Sequence, residues 1–297
     1  MSDVITVIAA SPFATIQDLG RVGFRDSGVP VSGLADRESG LLLNAILGND
    51  PNAAMIEWAV AGGALRFGCA AKVAIGGAEA ILRINGVKAD PWLPIVVANG
   101  DELRIDRIVR GRFVLIAVRG GIDVPIVLGS RSTLLSAGMG GFDGRRLRNG
   151  DQLPIGDHVV TPYHNNEYDK RGGRTNSAGP VTVMRGPQAS LFDDAAWATF
   201  LNTEYLVSLA SDRSGYRLDG VAISHSGSAA SPSEPACVGA IQIPDGGTPI
   251  VIMNDGPTVG GYPKIAVIRD SCLSRFARMV PGDPVRFAVG SANFDRA

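Results

Sequence analysis

The stretch AKVAIGGAEAILRINGVKADPWLPIVVANGDELRID, residues 71–106, decides the fold class. Within it AKVAIGG (71–77), AILRIN (80–85), LPIVVA (93–98) and ELRID (102–106) are short runs of β character, separated by turn-formers. Asn85-Gly86 lies between AILRI and VKAD, and a type I′ turn favours Asn-Gly because both central residues take positive φ. Asn99-Gly100 before ELRID predicts a second hairpin. Working outward, ITVIAA (5–10) and FVLIAV (113–118) continue the pattern, punctuated by 38 glycines and 18 prolines in 297 residues. Short strands at this density predict a mainly β barrel or sandwich. One helix is predicted in this half, RESGLLLNAILG, with Asp36 as N-cap and Gly48 as its αL stop.

From Thr161 to Gly179 the chain reads TPYHNNEYDKRGGRTNSAG, almost without aliphatic residues, which predicts a linker. The expected organisation is a first β-barrel subdomain over 1–160, a polar linker over 161–180 and a second β-barrel subdomain over 181–297. Strands are predicted at VTVMRG (181–186), EYLVSLAS, GAIQI, PIVIM and KIAVIR, with helices near DDAAWATFLN (193–202) and at SCLSRFARM. The turns NGDEL, NGDQL and PGDPV recur before apolar strands and hint at duplicated architecture.

Composition narrows the function classes. Apolar residues make up 45% of the chain, enough for a sizeable core, and 28 basic against 29 acidic residues give a net charge of −1. No long-range field favours nucleic acid or an anionic membrane. The start MSDVITV lacks a basic region followed by an apolar one, and no run approaches the ~18 apolar residues of a membrane span. A cytoplasmic protein without nucleic-acid or membrane partners is expected. Cys69, Cys237 and Cys272 are far apart, and His158, His164 and His225 lack metal-ligand spacing, so neither a disulfide framework nor a metal site is predicted.

Four constellations carry candidate chemistry. The loop TIQDLGRVGFRDSGVPVSGLADRES (15–39) gathers Gln17, Asp18, Arg21, Arg25, Ser32 and Asp36 before the first helix, where a rigid scaffold presents polar groups. The same residues have a structural reading, with Asp18 paired to Arg21 and Ser32 or Asp36 capping the helix. The segment 118–145 sets Arg131-Ser132-Thr133 before the glycine run GMGG, an arginine fork with hydroxyls and backbone N–H groups suited to a carboxylate, carbonate or phosphate. It does not match GxxxxGK[ST], so no P-loop is present. In SLASDRSGYRLDG (208–220) a strand is expected to end in Ser211, Asp212, Arg213, Tyr216 and Arg217; the two arginines would clamp a planar anion or be neutralised by Asp212 and Asp219. Finally, GAIQIPDGG (239–247) and DGPTVGGYP (255–263) offer Gln242, Asp255, Thr258 and Tyr262 around Gly260 and Gly261, which permit close backbone approach. Histidine is too scarce near these positions for a Ser/His/Asp or Cys/His arrangement.

Taken in order, TIQDLGR, GVPVSG with Asp36, GGIDVP, LGSRST, GGFDGR, SDRSGYRLDG, SEPACVGAIQIP and GGYPKIAVI resemble the family called allophanate hydrolase subunit 2, KipA or the C subunit of 5-oxoprolinase, from about Ser11 to Phe287. The resemblance implies tandem cyclophilin-like β-barrel subdomains, the A and B halves of a carboxyltransferase-type domain. It implies a KipI-like (allophanate hydrolase subunit 1) partner and, in the oxoprolinase, a LamB/YcsF-like subunit. Together these open the lactam of 5-oxoproline to glutamate with ATP, bound here or on a partner. The alternatives it carries are a carboxyltransferase receiving carboxybiotin in trans to carboxylate urea or another small amide, and a KipA-type regulator without turnover. No lysine here lies between methionines, as a biotin carrier would require.

Carried residue by residue, the resemblance points to Asp18, Arg213 and Asp255 as the catalytic set. Gln17, Arg21, Ser32, Gly33, Asp36, Arg131, Ser132, Arg217, Gln242, Thr258, Gly261 and Tyr262 would bind substrate. The arginines and Gln242 are the expected carboxylate or carbonyl binders, with Asp18 or Asp255 orienting them. One departure stands out: where the family commonly has glutamine, this chain has Pro257.

Overall fold

The computed structural model describes residues 3–157, 179–226 and 232–290. The chain divides into two compact units, Met1–Phe24 with Val31–Thr175 and Arg25–Pro30 with Asn176–Ala297. The short segment Arg25–Pro30, expected in the first half, thus belongs with the second unit. Apart from Gly179 and Pro180, the predicted linker at 161–180 lies outside the described residues, as do His158 and His164.

The first unit holds β1 (Val4–Ala9), β2 (Thr15–Gln17), α1 (Arg37–Leu47), β3 (Met55–Ala59), β4 (Gly63–Phe67), β5 (Ala71–Ile84), β6 (Val87–Lys88), β7 (Ile95–Val97), β8 (Glu102–Val118) and β9 (Gln152–Pro154). Its sheet runs β2-β3-β8-β4-β1-β9, with β5 paired to β8, β6 and β7. Two pairs of predicted strands are fused: 71–77 with 80–85 into β5, and 102–106 with 113–118 into β8. These long strands pair antiparallel from Val73↔Val118 to Ile84↔Leu103, with register shifts near Gly77, Glu79 and Ile81. Gly76 and Gly77, which read as a strand end, lie inside this ribbon. A Cβ on Gly76 would strike the Trp92 ring, and one on Gly77 would lie 2.3 Å from the Phe113 carbonyl.

Asn85 (φ 50°) and Gly86 (φ 81°) make the predicted hairpin turn between β5 and β6. Asn99-Gly100 makes a turn but no hairpin, because β7 pairs with β5 while Glu102 pairs with Arg66 of β4. Its role is the one shared by NGDEL, NGDQL and PGDPV. In each, the glycine has φ near 90° (92°, 90° and 90° at Gly100, Gly150 and Gly282). The following aspartate takes the N–H three residues back on its carboxylate (Ala98, Arg148, Val280). The glycine N–H and aspartate carbonyl then grip one residue of a strand: Phe67 on β4, Val7 on β1 and, in the second unit, Val207. The recurrent turn is a docking device for a strand.

The predicted helix is present, with the Asp36 carboxylate accepting from the Ser39 N–H and Gly48 ending it at φ 68°. It lies against β5 and β8. Trp58, Ile56, Leu65, Phe67, Ile75, Leu82, Val114 and Ile116 belong to this unit's hydrophobic core. Each such side chain contributes about 1.5–3 kcal/mol of burial.

The second unit holds β10 (Val181–Arg185), α2 (Asp194–Asn202), β11 (Tyr205–Val207), β12 (Gly215–Asp219), β13 (Glu234–Pro235), β14 (Ala240–Gln242), β15 (Ile250–Ile252), β16 (Val259–Gly260), β17 (Lys264–Ile268), α3 (Asp270–Ala277), β18 (Pro284–Val285) and β19 (Phe287–Val289). Eight strands run β18-β11-β12-β15-β14-β17-β10-β19, and β13 and β16 form a separate two-stranded ribbon. Asp193 caps α2 through the Ala196 N–H. Phe200 stacks on Phe287 at 4.8 Å between ring centroids, with Tyr205 beside both. The architecture is the expected one, mainly β with barrel-like sheets and three short helices.

Candidate functional site

In the first unit Asp18 follows β2 and is almost fully buried. Its Oδ1 accepts from the Gly20 N–H at 2.8 Å, Ser130 Oγ at 2.6 Å and Ser132 Oγ; its Oδ2 accepts from the Arg131 N–H at 2.6 Å. Four donors hold one carboxylate, the arrangement that keeps a buried charge tolerable in free energy. Arg21, fully buried, donates to the carbonyls of Val127 and Ser132. Asp18 and Ser132 therefore tie the loop after β2 to the turn at 130–133. The loop itself is closed by Arg21 N–H to the Val31 carbonyl and Leu34 N–H to the Asp18 carbonyl. Gly20 and Gly33 press together there, since a Cβ on Gly33 would lie 2.8 Å from the Gly20 nitrogen. Ser32 adopts φ 55° between them. Gln17 donates its amide to Thr15 Oγ1 and the Thr133 carbonyl, while its Oε1 is buried without a hydrogen-bond partner.

The anion fork expected at Arg131 takes a different form. Arg131 Nε donates to the Val124 carbonyl at 2.9 Å, and Nη2 pairs with Asp123 at 2.7 Å. The N–H groups of 131–133, Gly141 and Gly144 already donate within the protein. The glycines of GMGG serve contact: a Cβ on Gly140 would meet Arg21 Nη2, and one on Gly141 the Thr133 hydroxyl. Gly140 and Gly141 thus pack against Arg21 and Thr133. Glu57, missed by sequence reasoning, is a buried carboxylate on β3 that accepts from the Ala35 N–H at 2.9 Å.

In the second unit Arg213 and Asp255 form a two-point ion pair, Nε–Oδ2 at 2.9 Å and Nη2–Oδ1 at 3.0 Å, with both side chains mostly buried. Asp212 caps its own turn through the N–H groups of Ser214 and Gly215. Arg217, expected in a turn, instead lies within β12, where Tyr216 and Leu218 are buried and Arg217 and Asp219 are exposed. The charges hide this alternation in the sequence. From Asp255 the chain passes through Gly256 and Pro257 to Thr258, whose side chain is buried and whose carbonyl accepts from the Ala236 N–H. Arg25 donates to the carbonyls of Ala236 and Pro257. Burial lowers its guanidinium from the ordinary value, partly offset by nearby Cys237.

Next comes the β13–β16 ribbon, with Glu234 opposite Gly260 and Pro235 opposite Val259. Gln242 on β14 lies over Gly260, so that a Cβ there would be 2.4 Å from its Nε2. That amide nitrogen is buried without a hydrogen-bond partner. Lys264, directly across from Gln242 on β17, is also buried, and its Nζ is 3.5 Å from Glu234 Oε2. Gln188 joins the group, donating to Glu234 and accepting from the Lys264 N–H. Gly261 is half-buried and Tyr262 exposed at the same edge. Lys264 and Glu234 were not singled out from sequence. The available signal was a lysine opening an otherwise apolar strand, KIAVI.

The structure thus places Gln17, Asp18, Arg21, Ser32, Gly33, Asp36, Arg131 and Ser132 in the first unit and Arg213, Arg217, Gln242, Asp255, Thr258, Gly261 and Tyr262 in the second. Among the described residues no cluster of three or more His, Cys, Asp or Glu side chains is arranged to hold a metal ion.

Comparison with known proteins agrees with this architecture. The chain is 35% identical to the 5-oxoprolinase C subunit of Escherichia coli (strain K12), over 96% of this chain and 90% of that protein. It is 32% identical to urea amidolyase of Lachancea kluyveri over 95% of this chain, which spans only 16% of that larger protein. The crystal structure of the K. lactis urea amidolyase superposes with a TM-score of 0.91 at 29% identity, over 98% of this chain and 19% of that one. Residues 27–289 match the family described as carboxyltransferase domain, subdomain A and B, and the chain belongs to that family.

Proposed function

We propose that this chain is a subunit of an ATP-dependent 5-oxoprolinase, acting with a KipI-like and a LamB/YcsF-like protein. The observation that carries the reading is its 35% identity to a 5-oxoprolinase C subunit across nearly the whole chain. In that reaction water adds to the lactam carbonyl carbon, the C–N bond breaks, the nitrogen takes a proton and glutamate is released, driven by ATP hydrolysis. Negative charge grows on the carbonyl oxygen, so preorganised donors aimed at it lower the barrier. Gln242 is our carbonyl binder, Arg217 a carboxylate binder, and Asp255 holds Arg213 in place. Asp18 acts by fixing the 130–133 turn. Gly140 and Gly141 pack against Arg21 and Thr133 and the sequence has no P-loop match, so we assign ATP to a partner protein.

A second reading, carboxyl transfer from carboxybiotin to a small amide such as urea, is supported by the fold agreement with urea amidolyase. The two are separated by co-expressing the chain with its KipI-like and LamB/YcsF-like partners and measuring glutamate from 5-oxoproline. Release that requires ATP, this chain and Arg213 is the expected result. An intact complex that releases none overturns the oxoprolinase reading.

A further inference from the structure

Two donors in the second unit face the same place with too little to receive them. Lys264 is 3% and Gln242 5% exposed, and they sit across from each other on β17 and β14. The Gln242 Nε2 lies over Gly260, while the Lys264 Nζ reaches Glu234, which is opposite Gly260 in the ribbon. Both groups therefore converge on the Glu234–Gly260 rung. Burial of an ammonium and of an amide N–H is costly without acceptors. Glu234 supplies one at 3.5 Å, but its side chain is 49% exposed and also accepts from Gln188. The amide nitrogen has none. The edge beside them opens outward, with Val259 53% and Tyr262 44% exposed.

We infer that the Lys264 ammonium and the Gln242 amide form a donor pair that receives the carbonyl oxygen of a planar amide substrate, seated over the bare Gly260 backbone. Glu234 neutralises the ammonium until substrate arrives. The inference rests on the proposed amide or lactam chemistry and adds to it the group that carries positive charge to the oxygen. Gly260 is required because a side chain there would fill the seat of the Gln242 amide.

The test uses the assembled complex and 5-oxoproline labelled with carbon-13 at the lactam carbonyl. Hydrogen bonding from an ammonium and an amide polarises the carbonyl and moves its resonance downfield on binding. Lys264→Met and Gln242→Glu are compared with the wild type, with thermal melting as the control for folding. Gln242→Glu is the sharper variant, because the buried lysine offers the new carboxylate a partner, so the fold persists while a donor becomes an acceptor. We expect the downfield shift to vanish in both, with turnover reduced by at least roughly 10²-fold. A Gln242→Glu complex that keeps shift and turnover overturns the inference while leaving the oxoprolinase reading intact. If 5-oxoproline does not bind but carbonyl-labelled urea does, with the same variant-sensitive shift, the oxoprolinase reading falls and the donor pair stands. A complex that binds neither overturns the donor pair.

Discussion

Arg213 and Asp255 are joined three times: two side-chain contacts at 2.9 and 3.0 Å, and the Asp255 N–H donating to the Arg213 carbonyl at 2.9 Å. Residues 42 positions apart thus share one rigid ring. Removing one partner leaves a buried charge, so Arg213→Ala should lower stability by about 3 kcal/mol in urea unfolding. Arg213→Lys should fail to restore it, since an ammonium cannot match the planar fork. The double change Arg213→Met with Asp255→Leu should recover most of the stability. Were it also to recover turnover in the assembled complex, the pair would be structural only.

Asp18 is held just as firmly, but by a different device. Its two oxygens accept from four donors, and Asn in its place keeps the shape but turns one acceptor into a donor facing N–H or O–H groups. Asp18→Asn should cost about 2 kcal/mol through unsatisfied buried partners. Hydrogen exchange should quicken at the amide of Arg131 while the amides of β5 stay protected. Uniform quickening would mean that the carboxylate does not act locally.

Asp151 makes stability depend on pH. Burial raises its pKa, but the Arg145 guanidinium and the Arg148 N–H outweigh that, and the net shift is downward. A depressed carboxylate contributes stability that is fully present above the ordinary aspartate value of about 3.9 and is lost as pH falls through the folded value. Wild-type stability should therefore decline below about pH 4, and Asp151→Asn should flatten that part of the profile. Equal slopes for both proteins in acid denaturation would contradict the assignment.

Much of this was legible in the sequence because the signals were local. Asn85-Gly86 and the Asp36 and Gly48 caps depend on residues within one turn. What was not legible depends on pairing at long range. The fusion of 71–77 with 80–85 is set by β8, which carries the strand across Gly76 and Gly77. The second Asn-Gly turn docks onto Phe67 of β4, a partner that no local pattern announces. At the site, Arg131 read as an anion fork and Arg213 as an anion clamp or a partner of Asp212 and Asp219, yet Arg131 is engaged by Asp123 and Arg213 by Asp255. The least evident donor, Lys264, was masked by its place at the head of an apolar strand.

The three glycine turns separate torsional cost from steric cost. Gly100, Gly150 and Gly282 all have φ near 90°, and an added Cβ at each meets nothing within 4 Å. Gly→Ala at any one should therefore cost only the conformational strain, about 1–2 kcal/mol. Gly33 has φ 81°, but its Cβ would press on backbone at 2.8 Å, adding steric overlap to the torsional strain. Gly33→Ala should accordingly cost more than any turn variant and disturb the Asp18 region, whereas the three turn variants should resemble one another. Urea midpoints of the four proteins, measured side by side, check the order. A Gly33 variant no worse than the others would show that the loop yields, and that the tight contact of Gly20 with Gly33 does not constrain the position of Asp18.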